Sequence, residues 1–167
     1  QKAIELKPDY FEAHNNLGVT FRSLGRIDEA KDSYRQAIAI NPEYSVAYRY
    51  LTQVKTFKKK DEEYLKMQEL YSNITISDED RCDINFALAK ACEDLGEVAK
   101  AFKHYSEGNL LRKKLLKYDI NQDIQLFNQI KSSHAKVEEN FLKIESNENT
   151  LIPIFIVGMP RSGTTLV

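Results

Sequence analysis

The chain has 167 residues, with 24 basic and 25 acidic side chains and a formal net charge of −1. This balance provides no field that would recruit nucleic acid or an anionic membrane surface. Hydrophobic residues make up 42% of the chain, enough for a packed core. No apolar run approaches the roughly 18 residues that a membrane-spanning helix needs. Because the sequence begins at Gln1 and stops inside a motif at Val167, we expect a piece of a longer protein.

The two cysteines indicate a reducing compartment. Cys82 and Cys92 are ten residues apart on one predicted helix, which separates them by about 15 Å along the helix axis. That separation is too large for a disulfide. We expect both to be reduced and buried, which favours a cytoplasmic location.

An internal repeat opens the chain. KAIELKPDY, residues 2–10, matches QAIAINPEY, residues 36–44, at an offset of 34 residues. Between these matches, the segment 11–44 resembles a tetratricopeptide repeat, whose period is 34 residues. Gly25 would end its first helix in a left-handed turn, and the small Gly18 would let two antiparallel helices approach. The positions typical of the repeat are Leu17, Gly18, Phe21, Gly25, Ala30, Tyr34, Ala37 and Pro42.

The 34-residue repeat also predicts the organisation of the rest of the chain. The fold class predicted is all-α, a superhelix of antiparallel helix pairs, followed by one short β-strand and a P-loop-like segment. The array would comprise a partial repeat 1–10, a repeat 11–44, a degenerate repeat 45–76 and a last one 77–117. Ser77 and Asp80 form a capping box for the last repeat. Residues 118–150 would supply connecting helices and a polar linker, and residues 151–167 the strand and loop. The apolar spacing predicts two helices there, one with Ile120, Ile124, Phe127 and Ile130, and another with Val137, Phe141, Leu142 and Ile144.

The concave face of such an array comes from the first helix of each repeat. In the best repeat this face would carry Glu12, Asn15, Asn16, Val19 and Arg22, a candidate surface for a protein or peptide partner. Val19 stands where a clamp for peptide carboxylates needs a polar group, and Tyr50 replaces the next rung of an asparagine ladder. A solvated inner face is therefore the simpler interpretation. The three histidines lack metal-ligand spacing, and no metal site is predicted.

The last residues carry a phosphate-binding pattern. Residues 154–157, IFIV, are typical of a strand buried on both faces. Gly158 and Gly163 are separated by four residues, as in a nucleotide P-loop, but Thr164 stands where an NTPase has lysine. A nest of backbone N–H groups, with the hydroxyls of Thr164 and Thr165 and the guanidinium of Arg161, would hold one phosphate. The candidate phosphate-binding residues, which would hold a phosphorylated cofactor, are Arg161, Ser162, Gly163, Thr164 and Thr165.

PIFIVGMPRSGTTLV, residues 153–167, closely resembles the phosphosulfate-binding signature of sulfotransferases that use 3′-phosphoadenosine 5′-phosphosulfate (PAPS). With the preceding repeats, the chain is similar to the bacterial sulfotransferases that carry tetratricopeptide repeats. The resemblance implies that Thr164 and Thr165 hold the 5′-phosphate of PAPS, and that Arg161 stabilises the leaving phosphate. The longer protein would transfer a sulfuryl group to a hydroxyl acceptor, with its general base beyond Val167. The 167-residue chain alone would be inactive.

Two other interpretations stay open. The chain could be a pure interaction module with no catalytic activity, or a nucleotide hydrolase with a deviant P-loop, against which Thr164 counts. The terminal strand has no sheet partner in the sequence. It could lie against the last helices, or it could pair with the same strand of a second copy, which would produce a homo-oligomer.

Overall fold

A computed structural model describes the backbone of residues 2–139 and the side chains of residues 2–134, and this part of the chain is entirely helical. The strand and loop predicted for residues 151–167 lie outside the described residues. The helices are α1 (Lys2–Leu6), α2 (Phe11–Ser23), α3 (Ile27–Ile40), α4 (Ser45–Val54), α5 (Glu62–Ser72), α6 (Asp78–Asp94), α7 (Val98–Leu116) and α8 (Ile120–Glu139).

Helices α2 and α3 pack against each other as an antiparallel pair. Gly25 ends α2 with φ of +74°, so the predicted left-handed turn is confirmed. Gly18 is buried against α3, where a Cβ at this position would lie 2.5 Å from Cε1 of Tyr34. Ala30 and Ala37 are fully buried on the facing helix. The small residues of the repeat therefore set the distance between the two helices.

The degenerate repeat is built differently. Its helix α4 packs mainly against α6 and α3, and α5 packs against α6. The connection of residues 55–61 contains no glycine, and Phe57 within it is buried in the core. This core, the largest cluster of buried side chains among the described residues, joins four helices and the connection; its members are Tyr48, Phe57, Tyr64, Met67, Leu70, Ile84, Ala87, Leu88, Ala91, Cys92 and Ala101.

Helices α6 and α7 form the last antiparallel pair. Oγ of Ser77 accepts a hydrogen bond of 3.0 Å from the backbone N–H of Asp80, which confirms that Ser77 caps α6. Gly96 repeats the left-handed turn of Gly25, with φ of +74°. Helix α7 then continues unbroken to Leu116 and ends at Lys117, whose φ is +50°.

The chain divides into two compact units between Tyr118 and Asp119. In the second unit, Oδ1 of Asp119 accepts a hydrogen bond of 3.0 Å from the backbone N–H of Asn121 and so caps α8. The sequence predicted a separate helix with Val137, but α8 is continuous from Ile120 through Val137 to Glu139, so the expected break before Val137 is absent. Phe141, Leu142 and Ile144, the other members of that predicted helix, lie outside the described residues. No glycine or proline interrupts residues 120–139, so nothing stops the helix. Across the described helices, none combines the length and apolarity needed to cross a bilayer.

Candidate peptide-binding face

One face of α2 carries four of the five residues predicted for the concave surface. Glu12, Asn15, Val19 and Arg22 are three or four residues apart, so they lie on one side of the helix. Asn15 is only 3% exposed, and Val19 packs against the cluster of Ala30, Tyr34 and Leu51. Glu12 and Arg22 are half-buried and accessible. We call the surface formed by the first helices of the successive units the concave face. Its residues are Glu12 and Arg22 on α2, Arg49, Tyr50 and Gln53 on α4, and Asp83 and Phe86 on α6.

Asn16, the fifth predicted residue, points elsewhere. It is exposed and lines a groove of about 560 Å³ between α1 and α2, beside Ala3, Tyr10 and Leu17. The structure therefore brings together Glu12, Asn15, Val19 and Arg22 but not Asn16.

Arg22 links α2 to α4. Its guanidinium lies 5.2 Å from the ring centroid of Tyr50 and donates a hydrogen bond to Oε1 of Gln53. The ring of Tyr50 in turn stacks on Tyr34 of α3, with centroids 5.9 Å apart and planes at 16°. A guanidinium over an aromatic face is attracted by the ring quadrupole. Arg22 is therefore held against α4, and the ring of Tyr50 that it contacts is in turn supported by Tyr34 of α3.

Arg49 makes the equivalent link from α4 to α6. It donates a hydrogen bond of 2.7 Å to Oδ1 of Asp83, and its guanidinium lies 5.4 Å from the centroid of Phe86. The carboxylate of Asp83 is 14% exposed and the guanidinium side chain of Arg49 is 29% exposed. The first helices of three successive units are thus joined across the concave face by one arginine–aromatic contact at each junction.

Tyr44 borders this face at the start of α4. Its ring meets Phe11 edge-on, with the centroids 4.8 Å apart. Burial raises the pKa of Tyr44, and the nearby charges of Glu12 and Asp83 raise it further. The phenol therefore stays neutral at physiological pH and provides an uncharged hydrogen-bonding surface beside Glu12.

Two buried polar atoms beneath the face lack a hydrogen-bond partner among the described residues, namely Oδ1 of Asn15 and the hydroxyl of Tyr34. Burial also raises the pKa of Tyr34. An unsatisfied buried polar group costs about 1–3 kcal/mol, so each of these two atoms opposes the stability that burial of its side chain provides.

A second polar cluster lies between α6 and α7, and its side chains are buried away from solvent. Nδ1 of His104 lies 2.9 Å from Oδ1 of Asn85, whose amide donates to the backbone O of Arg81. The ring of His104 meets Tyr71 edge-on and is 6% exposed. Within the part of the chain that the structure describes, no group of three His, Cys, Asp or Glu side chains could hold a metal ion. His104 is therefore part of the packing between the two helices.

The sequence did not identify most of the concave face. Tyr44, Gln53, Arg49 and Asp83 were missed, and Tyr50 was taken only as a break in an asparagine ladder. The available signal was the 34-residue offset, which places Arg49 and Gln53 at the positions of Asn15 and Val19. The predicted phosphate-binding residues, Arg161 to Thr165, lie outside the described residues.

A protein of Aquifex aeolicus (strain VF5), named "Uncharacterized protein", is 29% identical to this chain over 173 residues. The match covers 99% of this chain and 21% of that relative, so the chain spans about a fifth of its length. The pair α2–α3, with its left-handed glycine and its close approach at Gly18, lies within residues 11–44. These residues match the family model of the tetratricopeptide repeat, and this segment is therefore identified as one such repeat.

Proposed function

We propose that the chain is a protein-interaction module whose concave face binds an extended segment of a partner protein. The observation that carries the proposal is the row of arginine–aromatic contacts, Arg22 with Tyr50 and Arg49 with Phe86, which crosses α2, α4 and α6. Helical repeats present extended concave surfaces of this kind to their partners.

The physical support is preorganisation. Both arginines are fixed by a hydrogen bond and an aromatic ring before any ligand arrives, so little side-chain entropy is lost on binding. Arginine and tyrosine are also the side chains that dominate binding energy at protein interfaces. The near-zero net charge of the chain favours a partner recognised by local contacts over one attracted by a global field.

A peptide selection with the 167-residue chain tests the proposal. We expect a random peptide library to yield binders that lose at least about 10-fold in affinity with Tyr50→Ala, the loss typical of an interface hot spot. Leu65→Ala is the control, since Leu65 is an exposed apolar residue on α5. The proposal fails if selection enriches no binder, or if the binders are indifferent to Tyr50→Ala.

We also propose, from the sequence GMPRSGTT of residues 158–165, that the longer protein is a PAPS-dependent sulfotransferase. Arg161, Ser162, Gly163, Thr164 and Thr165 would bind the phosphosulfate. Backbone N–H groups, the hydroxyls of Thr164 and Thr165 and the guanidinium of Arg161 are suitable ligands for a single phosphate. The interaction module would then bring an acceptor protein, or another partner, to the transferase.

Calorimetry on the full-length gene product with adenosine 3′,5′-bisphosphate tests this second proposal. Arg161→Ala and Thr164→Ala should each weaken binding by about 10-fold, as expected for the loss of a charge-assisted hydrogen bond. Thr150→Ala, in the preceding polar segment, should leave binding unchanged. Full-length protein that does not bind the nucleotide would refute the proposal.

A further inference from the structure

We propose that the concave face selects partner segments that place a carboxylate on Arg22, next to an apolar side chain on Tyr50. This inference rests on the proposed interaction function and specifies the chemistry of the ligand. It is drawn from how the cations of the face are paired, since an unpaired cation that is held in place is the group most able to recognise an anion.

Arg22 on α2 differs in its pairing from Arg49 on α4 and Lys90 on α6, which are both neutralised. Arg49 pairs with Asp83 at 2.7 Å, and Lys90 pairs with Asp94. Among the described side chains, Arg22 contacts only neutral groups, Gln53 and Tyr50, and forms no ion pair with a carboxylate. Its positive charge is therefore available to a ligand.

The acidic residue at the other end of the same helix face does not neutralise Arg22. Glu12 is ten residues away on α2, which corresponds to about 15 Å along the helix axis. At physiological ionic strength the Debye length is about 8 Å. Solvent and salt therefore screen most of the attraction between the two side chains.

Arg22 is also oriented for recognition. Oε1 of Gln53 accepts a hydrogen bond from one of its N–H groups, and the centroid of the Tyr50 ring lies 5.2 Å from its central carbon. A guanidinium has five donors in a fixed fork that matches a carboxylate, so donors remain for a ligand. Val19 and Val54 are half-buried beside Tyr50 in the same cluster. An apolar side chain next to the acidic residue of the partner segment would pack against them.

The test compares binders selected by the 167-residue chain with those selected by its Arg22→Gln variant. Selected peptides should contain Asp or Glu next to a Leu, Ile, Val or aromatic residue. A synthetic peptide of the enriched sequence should bind about 10-fold more weakly to Arg22→Gln and when its acidic residue is replaced by the amide. Arg22→Lys, which keeps the charge but not the fork, should give an intermediate affinity.

Arg112→Gln is the matched control, because Arg112 is an exposed arginine on α7 and its loss changes the net charge equally. Loss of affinity with Arg22→Gln but not with Arg112→Gln supports the inference. Equal losses with both variants would overturn it, since they would indicate a general charge effect. Neutral or basic binders that still depend on Tyr50 would also overturn it while leaving the interaction function intact. A selection without any binder would refute both.

Discussion

Gly18 and Tyr34 are in direct contact across the α2–α3 pair, and a methyl group on Gly18 would lie 2.5 Å from Cε1 of the ring. Tyr34 is fully buried and stacks on Tyr50, so its ring has no free space into which to move. The two residues therefore determine how closely the helices of the repeat approach.

Gly18→Ala should lower the free energy of unfolding by about 1–3 kcal/mol, the cost of overpacking a core, although alanine favours helix. Urea denaturation followed by circular dichroism measures the change. Thr20→Ala, at an exposed position of the same helix, is the control and should be nearly neutral. Equal or higher stability of Gly18→Ala would contradict the close approach.

Tyr34→Phe should leave the free energy of unfolding unchanged or raise it by up to about 1 kcal/mol. The hydroxyl has no hydrogen-bond partner among the described residues, so its removal eliminates only a desolvation cost. Tyr71→Phe provides the contrast, because its hydroxyl donates to Oε2 of Glu107 at 2.8 Å. That variant should lose about 1 kcal/mol. The argument is wrong if Tyr34→Phe is the more destabilising of the two.

Glu63 should stabilise the protein above pH 4.5 and lose that effect in acid. Burial raises the pKa of its carboxyl, but hydrogen bonds from Lys55 and Arg35 outweigh this and lower it to about 2. A depressed native pKa contributes stability above the unfolded value of about 4.3, and the contribution falls as the pH drops towards 2. We therefore expect Glu63→Gln to cost about 1–3 kcal/mol at pH 7.

Urea denaturation at pH 7 and pH 2.5 tests this expectation. The difference between the wild type and Glu63→Gln should shrink at the lower pH. Glu62→Gln is the control, since Glu62 is an exposed neighbour that forms no ion pair with any described side chain. A constant difference at both pH values would show that the ion pairs do not stabilise the fold.

His104 should destabilise the protein at mildly acidic pH. Burial lowers the pKa of its imidazole below the usual value, against the opposing charge of Glu107. A group whose native pKa lies below its unfolded value of about 6.5 is protonated mainly in the unfolded chain. Stability is therefore complete above pH 6.5 and falls as the pH drops below it. Thermal melts between pH 7.5 and 5.5 should show this decline.

His104→Gln should remove the decline between pH 7.5 and 5.5, because glutamine does not titrate. The amide of the new glutamine can still donate to Oδ1 of Asn85, so this buried oxygen keeps a hydrogen-bond partner in the variant. His14→Gln, on α2, is the control and should keep the decline. An unchanged pH profile in His104→Gln would exclude this histidine as its origin.

Cys82 and Cys92 should be unreactive in the native protein. Both are free and at most 1% exposed, and burial raises the pKa of each thiol. Because the thiolate is the reactive form, a thiol reagent should label them only as fast as the protein opens. Both should react at once in 6 M guanidinium chloride. Rapid labelling without denaturant would contradict their burial.

Much of the fold could be predicted because its signals are local. Gly25 and Gly96 stand where the chain must turn with positive φ, and Ser77 stands before a helix that it caps. These features depend on a few neighbouring residues, so their sequence pattern is sufficient. The break expected before Val137 had no such signal behind it: residues 120–139 contain neither glycine nor proline, and α8 is continuous through them.

The candidate site was harder to predict, because its contacts join residues far apart in the chain. Arg22 is 31 residues from Gln53, and Arg49 is 34 residues from Asp83. The helical period places Glu12, Asn15, Val19 and Arg22 on one face of α2 but does not say which of them a neighbouring helix covers. The packing of α2 and α3 against α4 decides this, burying Asn15 and leaving Arg22 accessible.

The sequence by itself determined the helices, the turns between them and the 34-residue period, since each depends on backbone preferences and small residues within one or two turns. Only the tertiary structure decided that α4 packs mainly on α6, that Arg49 is neutralised and that Arg22 is not. The physical reason is that burial and ion pairing are properties of surfaces brought together by packing. A charge has a partner only where the fold places one within a few ångströms.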